Sequence, residues 1–170
     1  MKSWTNLSYA NVATTSPAAH KASMEWSDAL ARGGAAEFDG EAEKNAMMPL
    51  RRAAARLLSC EVADVCVGSS ATELLCSLAW AVSPSGGSNI VSTRTAFPST
   101  VYPWSRVAEA NGAKIRLANH DEELYTNPDD ILDLIDEATS VVTLSHVEYS
   151  TGQRYDLRRF ADAAHSVGAL

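Results

Sequence analysis

Short β-branched runs alternate with apolar helical segments through the second half of this 170-residue chain. The β-branched runs predict strands at 62–67, 89–93, 114–118 and 141–147. The segments around them predict helices at 71–82, in a stretch ending near 111, from 127 onward and at 156–167. Chains with this alternation fold as mostly parallel sheets with helices on both faces. The sequence therefore predicts an α/β fold in three layers.

The first sixty residues show helical spacing only. Apolar residues recur at helical intervals over 18–32 and over 40–59, and Pro49 is expected to begin or kink the second part of the later helix. We therefore predict two regions, an N-terminal segment with helices at 1–60 and a sheet domain at 61–170.

The last residues of the chain predict a sheet that is still incomplete. Gly168 closes the helix at 156–167, and Ala169 and Leu170 are typical of the start of another strand. We therefore expect the chain to be one piece of a longer protein. The alternative is a natural terminus with a frayed edge.

The net charge of the chain limits the partners that it is expected to bind, and its cysteines indicate the cellular compartment. Twenty-one acidic residues against 14 Lys and Arg give a formal charge of −7, which argues against binding to nucleic acid or to an anionic membrane. The most apolar run, 74–82, is shorter than the roughly 20 residues that cross a bilayer. The three cysteines lie among apolar residues, and we expect buried, reduced thiols in a cytoplasmic protein (Cys60, Cys66 and Cys76).

The segment at 68–73 lies where a predicted strand leads into a strongly apolar helix. Ser70 and Glu73 have the spacing of a capping box. The N–H groups of such a helix start, together with the hydroxyls of Ser69, Ser70 and Thr72, would form an anion site. An ordinary helix cap without a ligand explains the same residues, and composition alone favours that alternative. The segment has neither Walker nor G-x-G-x-x-G spacing.

Two later segments also follow predicted strands. One carries Phe97 before a proline, where the ring could stack on a flat ligand or cap the core. The other, at 145–152, carries His146, which alone is more often a structural histidine than a catalyst, and Tyr149 and Thr151, which could hydrogen-bond a ligand or close a turn. Because the carboxyl ends of parallel strands share one edge, we expect a single cleft. The scattered histidines do not have metal-ligand spacing, and there is no G-x-S-x-G elbow.

These segments, in this order, resemble the class V aminotransferase family of fold type I pyridoxal-phosphate enzymes. The family includes cysteine desulfurases, selenocysteine lyases, kynureninases and isopenicillin N epimerase-like proteins. The resemblance covers nearly the whole chain and is carried by 11–15, by 70–73, by 97–99 with 102–104, by 145–147 with 151–152 and 156–157, and by 163–170.

The resemblance implies that pyridoxal 5'-phosphate (PLP) is the cofactor and that residues 61–170 begin its binding domain. It implies that Ser70, Ala71 and Thr72 hold the phosphate and that Phe97 stacks on the ring, where desulfurases carry histidine. Tyr149, which stands where many members have asparagine, would lie near the ring oxygen together with Thr151. These two departures favour the epimerase-like and lyase-like branch over a standard cysteine desulfurase.

The resemblance further implies an amino-acid substrate, contacted by Asn11, Val12 and Ala13, and a homodimeric full-length enzyme of lyase, epimerase, desulfurase or transaminase type. None of the four lysines stands in the family's Schiff-base context (Lys2, Lys21, Lys44 and Lys114). We therefore expect no catalytic residue here and no turnover by this chain alone. Two alternatives stay open, a catalytically dead remnant that binds a phosphorylated ligand or partner, and an unrelated doubly wound nucleotide- or sugar-phosphate-binding domain.

Overall fold

The computed structural model describes residues 13–170, which divide into two compact units at Val67 and Gly68. The first unit is helical. It contains α1 (Pro17–Gly33), a 3₁₀ turn (Gly34–Ala36), α2 (Gly40–Asn45), α3 (Met48–Leu58) and a second 3₁₀ turn (Val62–Asp64). The helix predicted at 40–59 is thus two helices, and Pro49 lies in the first turn of the second, where its missing N–H costs nothing.

The strand predicted at 62–67 is wrong. Residues Val62–Asp64 form a 3₁₀ turn, closed by a capping box between Glu61 and Asp64. The Arg51 guanidinium of α3 donates hydrogen bonds to the carbonyl oxygens of Val62 (2.8 Å) and Val65 (2.9 Å). Because a side chain has taken these carbonyls, they are not free to pair in a sheet.

The second unit is an α/β sheet domain. Its elements are α4 (Ala71–Val82), β1 (Asn89–Thr93), α5 (Pro98–Asn111), β2 (Lys114–Ala118), α6 (Pro128–Leu132), β3 (Thr139–Val142) and α7 (Leu157–Ser166). The three strands are parallel in the order β2-β1-β3. The strands predicted at 89–93 and 114–118 and the helix predicted at 71–82 are confirmed residue for residue.

Alternate residues of β1 supply cores on both faces of the sheet. Ile90 packs in a buried cluster with α4 and α5 residues, among them Ala79 and Trp104. Val91 packs on the opposite face with Ile131 of α6 and residues from the α7 side. The predicted three-layer arrangement is therefore confirmed.

Leu170 pairs with the outer edge of β3. Its N–H donates to the Ser140 carbonyl (3.0 Å), and its own carbonyl accepts the Val142 N–H (2.8 Å). This alternation is that of a parallel strand pair, so Leu170 takes the strand position that the sequence predicts.

Candidate functional site

Three loops that follow strands or precede helices meet at the carboxyl edge of the sheet. The Thr72 hydroxyl at the start of α4 hydrogen-bonds the Ser99 hydroxyl at the start of α5 (2.7 Å). The ring of Phe97 contacts the ring of Tyr149 edge to face, with centroids 5.1 Å apart and planes at 88°. The structure therefore brings the three predicted segments together in one place, which we call the carboxyl-edge site.

The start of α4 is capped differently from the predicted box. The Ser70 hydroxyl oxygen accepts the Glu73 N–H (3.2 Å), as predicted. The Glu73 carboxylate, however, reaches back to Ser69, accepting its N–H (2.7 Å) and its hydroxyl hydrogen (2.5 Å), rather than to Ser70. These two hydrogen bonds from Ser69 lower the pKa of Glu73, so its carboxylate stays charged beside the positive helix end.

Ser70, Ala71 and Thr72 are exposed at this helix start. The N–H groups of the first helical turn have no acceptor within the helix. Ala71 and Thr72 are the first two residues of α4, so their N–H groups are available to an anion from outside. The Thr72 hydroxyl, already held by Ser99, lies at the same place.

The aromatic pair is held by local backbone geometry on one side and by a hairpin on the other. Phe97 is the N-cap residue of α5, and Pro98 follows it at the first helical position. Tyr149 lies in a turn closed by hydrogen bonds from Glu148 N–H to the Gln153 carbonyl (2.8 Å) and from Gly152 N–H to the Glu148 carbonyl (2.9 Å). Phe97 is 48% exposed and Tyr149 66% exposed, so both rings keep a free face for a ligand.

Thr151 is engaged in the turn itself. Its hydroxyl oxygen accepts the Gln153 N–H (3.1 Å), and the residue is half-buried. The sequence allows Thr151 either to close a turn or to bind a ligand, and this hydrogen bond supports turn closure. Its contact with a ligand stays a prediction.

A buried polar network behind the aromatic pair was missed by the sequence analysis. Its members lie at the end of β1, in the loop before α6 and in the Tyr149 hairpin (Thr93, Thr95, Thr126, Glu148, Gln153 and Tyr155). No signal in the sequence pointed to it, because Val147 next to Glu148 is the residue expected inside. The structure has the reverse, with Val147 49% exposed and Glu148 1% exposed.

Glu148 is the unusual member of this network. One carboxyl oxygen, Oε1, accepts the Thr93 hydroxyl hydrogen at 3.3 Å. The other, Oε2, is buried and has no hydrogen-bond partner among residues 13–170. Burial raises the pKa of Glu148, and the Thr93 hydrogen bond opposes this only in part. Burial likewise raises the pKa of the Tyr155 hydroxyl, with a contribution from Glu148.

Two further sequence predictions concern residues away from this edge. Asn11 and Val12 lie outside the described residues, and Ala13 is exposed in the first unit. The prediction of buried cysteines is wrong, because all three are exposed, free thiols (Cys60, Cys66 and Cys76). Cys66 lies in the predicted strand at 62–67, which does not form.

Metal sites and membrane spans are both absent from the described part of the chain. Residues 13–170 contain no cluster of three or more His, Cys, Asp or Glu side chains able to hold a metal ion. Within the same range, no helix combines the length and the apolar character needed to cross a bilayer.

The sequence model of the family described as aminotransferase class-V matches residues 11–170, nearly the entire chain. This chain belongs to the class-V aminotransferase family. One relative, a probable cysteine desulfurase from Methanothermobacter thermautotrophicus, is 33% identical over 84 residues, which are 49% of this chain and 21% of that protein.

Solved structures of a cystine C-S lyase have the same fold. A complex of that lyase with its product cysteine persulfide has a TM-score of 0.76 at 19% identity and is matched over 88% of this chain and 40% of its own. A variant of the lyase with glycine covalently linked to its PLP cofactor has a TM-score of 0.73 at 18% identity over 86% of this chain and 39% of its own. This class-V chain therefore spans about a fifth of the curated relative and about two fifths of the lyase.

Proposed function

We propose that this class-V chain is the first part of a PLP-dependent enzyme acting on an amino acid, and that the carboxyl-edge site holds the cofactor. The observation that carries the proposal is the hydrogen bond between Thr72 and Ser99 (2.7 Å). It joins the exposed start of α4, an anion site by its dipole and free N–H groups, to the segment that presents Phe97. A phosphate and a flat ring on one molecule match that pairing.

Each predicted contact has a defined part in this proposal. The N–H groups of Ala71 and Thr72 and the hydroxyls of Ser70 and Thr72 would bind the phosphate. Phe97 would stack on the ring through its exposed face, Tyr149 would lie near the ring oxygen, and Thr151 would hold the turn that carries Tyr149. PLP, when bound, supplies the electron sink that stabilises negative charge developing on an amino-acid substrate. The protein residues at this edge bind and orient it.

The lysines of the chain suggest that binding by this chain is non-covalent. Lys114 is the sole lysine of the sheet domain. It begins β2, opposite Asn89 at the first position of β1, so it lies at the amino edge of the sheet, away from the carboxyl-edge site. We propose on this ground that no lysine of residues 68–170 forms a Schiff base with the cofactor.

The remaining features of the proposal concern the whole protein. They rest on the family and on the composition of the chain. We propose an amino-acid substrate contacted by Asn11, Val12 and Ala13, a homodimer, a cytoplasmic location and no nucleic-acid or membrane partner. We also propose that residues 61–170 begin the cofactor-binding large domain and that 1–60 form the segment before it. The residues at positions 97 and 149 favour a lyase-like or epimerase-like reaction.

Titration of the full chain with PLP tests the cofactor site. Binding is followed by the absorbance of the cofactor, with inorganic phosphate as competitor. Replacing the Thr72 hydroxyl by a methyl group in Thr72→Val removes one hydrogen bond to a charged phosphate, worth about 1.5–3 kcal/mol. We expect the Kd to rise about ten-fold or more. Ser85→Ala, which removes an exposed hydroxyl at the opposite edge of the sheet, is the matched control and should leave the Kd unchanged.

Two results would contradict the proposal in different ways. Binding that phosphate does not compete with, or that Thr72→Val leaves intact, would remove the phosphate site from α4. A borohydride-reduced adduct mapped to one defined lysine would contradict the non-covalent mode while leaving PLP as the ligand.

A further inference from the structure

Glu148 lies between the two elements that carry the aromatic pair. It precedes Tyr149 directly in the chain, and its side chain points to the end of β1, four residues before Phe97. It is 1% exposed, whereas its neighbours Val147 and Tyr149 are exposed. A carboxyl group is rarely buried without a charged partner, so this placement calls for a reason.

The contacts of Glu148 reach both sides of the ring contact. Its Oε1 accepts the hydroxyl hydrogen of Thr93 (3.3 Å), and the Thr93 oxygen accepts that of Thr95 (3.3 Å), two residues before Phe97. Its backbone N–H and carbonyl bond Gln153 and Gly152 and so close the turn that presents Tyr149. One residue therefore links the segment that holds Phe97 to the turn that holds Tyr149.

We propose that Glu148 is a positioning residue of the carboxyl-edge site, which sets the Phe97–Tyr149 ring contact by fixing the Tyr149 turn to the end of β1. Its effect on a bound ligand rests on the proposed function. The ring contact itself is a property of the chain without any ligand.

The neutral carboxyl group is the form that performs this role. A carboxylate buried with one long hydrogen bond and an unpartnered second oxygen is strongly disfavoured. The buried titratable group that interacts with Glu148 is the Tyr155 hydroxyl, which is neutral because burial raises its pKa. The titratable and charged side chains on the elements around it are all exposed to solvent (Arg94, His120, Asp121, His146 and Arg154).

The sign of the pH dependence follows from this. Because the pKa of Glu148 is raised above 4.5, the folded chain holds a proton that the unfolded chain has lost. The stabilisation is fully present below the ordinary pKa and falls as pH rises through the raised one. Ionisation leaves a buried charge with one long hydrogen bond and an unpartnered second oxygen, so the Tyr149 turn loosens over that window.

The ring contact can be measured in the full chain without cofactor, as the nuclear Overhauser effect between the Phe97 and Tyr149 ring protons. In the wild type we expect it to weaken at least about two-fold as pH rises from the ordinary carboxyl pKa of 4.5 through the raised pKa of Glu148. Glu148→Gln keeps the acceptor oxygen and cannot ionise, so its contact should persist at every pH. Glu148→Leu removes the acceptor and should lose the contact throughout. Glu137→Gln, an exposed carboxyl beside β3, should behave as the wild type.

Two outcomes would overturn the proposal. One is a full ring contact in Glu148→Leu with native signals from β1. The other is a ring contact in Glu148→Gln that weakens with rising pH as it does in the wild type. Should Glu148→Leu fail to fold, Thr93→Val decides, because it removes the donor to Oε1, together with the acceptor of the Thr95 hydroxyl, and keeps the size of the side chain. An undiminished contact in Thr93→Val would equally reject the role.

A second measurement separates this inference from the proposed function. With PLP as probe, Glu148→Leu should raise the Kd about ten-fold, and Glu148→Gln should leave it within about two-fold at pH values below the raised pKa of Glu148. Absence of PLP binding by the wild type would reject the proposed function, while the ring-contact measurement would still decide the role of Glu148. Unaltered PLP binding in a folded Glu148→Leu would reject the role and leave the proposed function in place.

Discussion

Asp136 accepts hydrogen bonds from several groups at the amino edge of the sheet, among them the Thr139 hydroxyl (3.3 Å). Its Oδ1 accepts the Asn89 side-chain amide (2.9 Å) and the Ala138 N–H (3.0 Å), and its Oδ2 accepts the Arg116 guanidinium (2.5 Å). The Asn89 hydrogen bond is the largest reason that the pKa of Asp136 is lowered, and Arg116 and Ala138 add to it. This carboxylate therefore joins β1, β2 and the turn before β3.

We expect Asp136→Asn to be less stable than the wild type at neutral pH, because Arg116 then lacks its anionic partner. The lowered pKa makes the contribution of Asp136 present above its ordinary value of 3.8 and lost as pH falls through the lowered value. The urea midpoints of the two proteins should therefore differ at pH 7 and converge in strong acid. Asp133→Asn, at an exposed position, is the control, and a constant difference at all pH values would contradict the assignment.

At the residue scale, the sequence predicts which segments lie at the site better than it predicts which side chains are buried. The segments around Phe97 and Tyr149 were predicted because they follow predicted strands, and their rings do meet, although β3 ends at Val142 rather than at the predicted Val147. Glu148 was not, because its burial depends on Thr93, a partner 55 positions away in the chain. The roles assigned to the predicted site residues stay predictions.

Among the elements, α5 shows how one terminus is determined. It ends at Asn111, and the cap residue Gly112 has φ +77°. A Cβ on Gly112 would meet only the Gly86 Cα, at an ordinary 3.8 Å. The space is therefore open, and the left-handed backbone alone requires glycine there.

Gly112→Ala should accordingly lower the free energy of unfolding by about 1–2 kcal/mol, the cost of a left-handed backbone with a Cβ. Asparagine tolerates this conformation better, so Gly112→Asn should lose clearly less. Urea unfolding of both variants measures the difference. Equal losses would indicate a steric cause that the structure does not contain.

Helices and strands were predicted correctly where the local residue pattern and the tertiary packing favour the same element. The strands at 89–93 and 114–118 contain β-branched and apolar residues and lie against helices on both sides, so both the pattern and the packing favour them. The run at 62–67 has the same residue pattern, but two of its carbonyl oxygens accept hydrogen bonds from the Arg51 guanidinium. The strand predicted at 141–147 stops at Val142, and the chain beyond it turns into the hairpin in which Val147 pairs with Arg154.

For the molecule as a whole, the sheet domain is built around β1. All five of its residues are buried, and it pairs with a strand on each side. Between residues 13 and 170, β2 pairs with β1 alone. The Lys114 N–H donates to the Ser88 carbonyl, so alternation along a parallel strand turns the N–H groups of Ile115 and Leu117 away from β1.

Hydrogen exchange should reproduce this order. We expect the amides of 90–93 to exchange most slowly in the chain, and those of Ile115 and Leu117 to exchange at least about a hundred-fold faster. Lys114 and Arg116, whose N–H groups face β1, are the internal controls and should be slow. Equal protection at all four β2 positions would mean that another chain segment covers that edge.

Pro103 lies inside α5 and interrupts the backbone hydrogen bonding of this helix. Because proline has no N–H, the Ser99 carbonyl lacks the donor that a continuous helix supplies. The first turn is instead tethered sideways, through the Ser99 hydroxyl to Thr72 and through the Thr100 carbonyl to the Thr143 hydroxyl (3.1 Å). The turn behind Phe97 is thus held to α4 and to the chain after β3 by hydrogen bonds from outside the helix, which replace part of the support that the interrupted backbone ladder lacks.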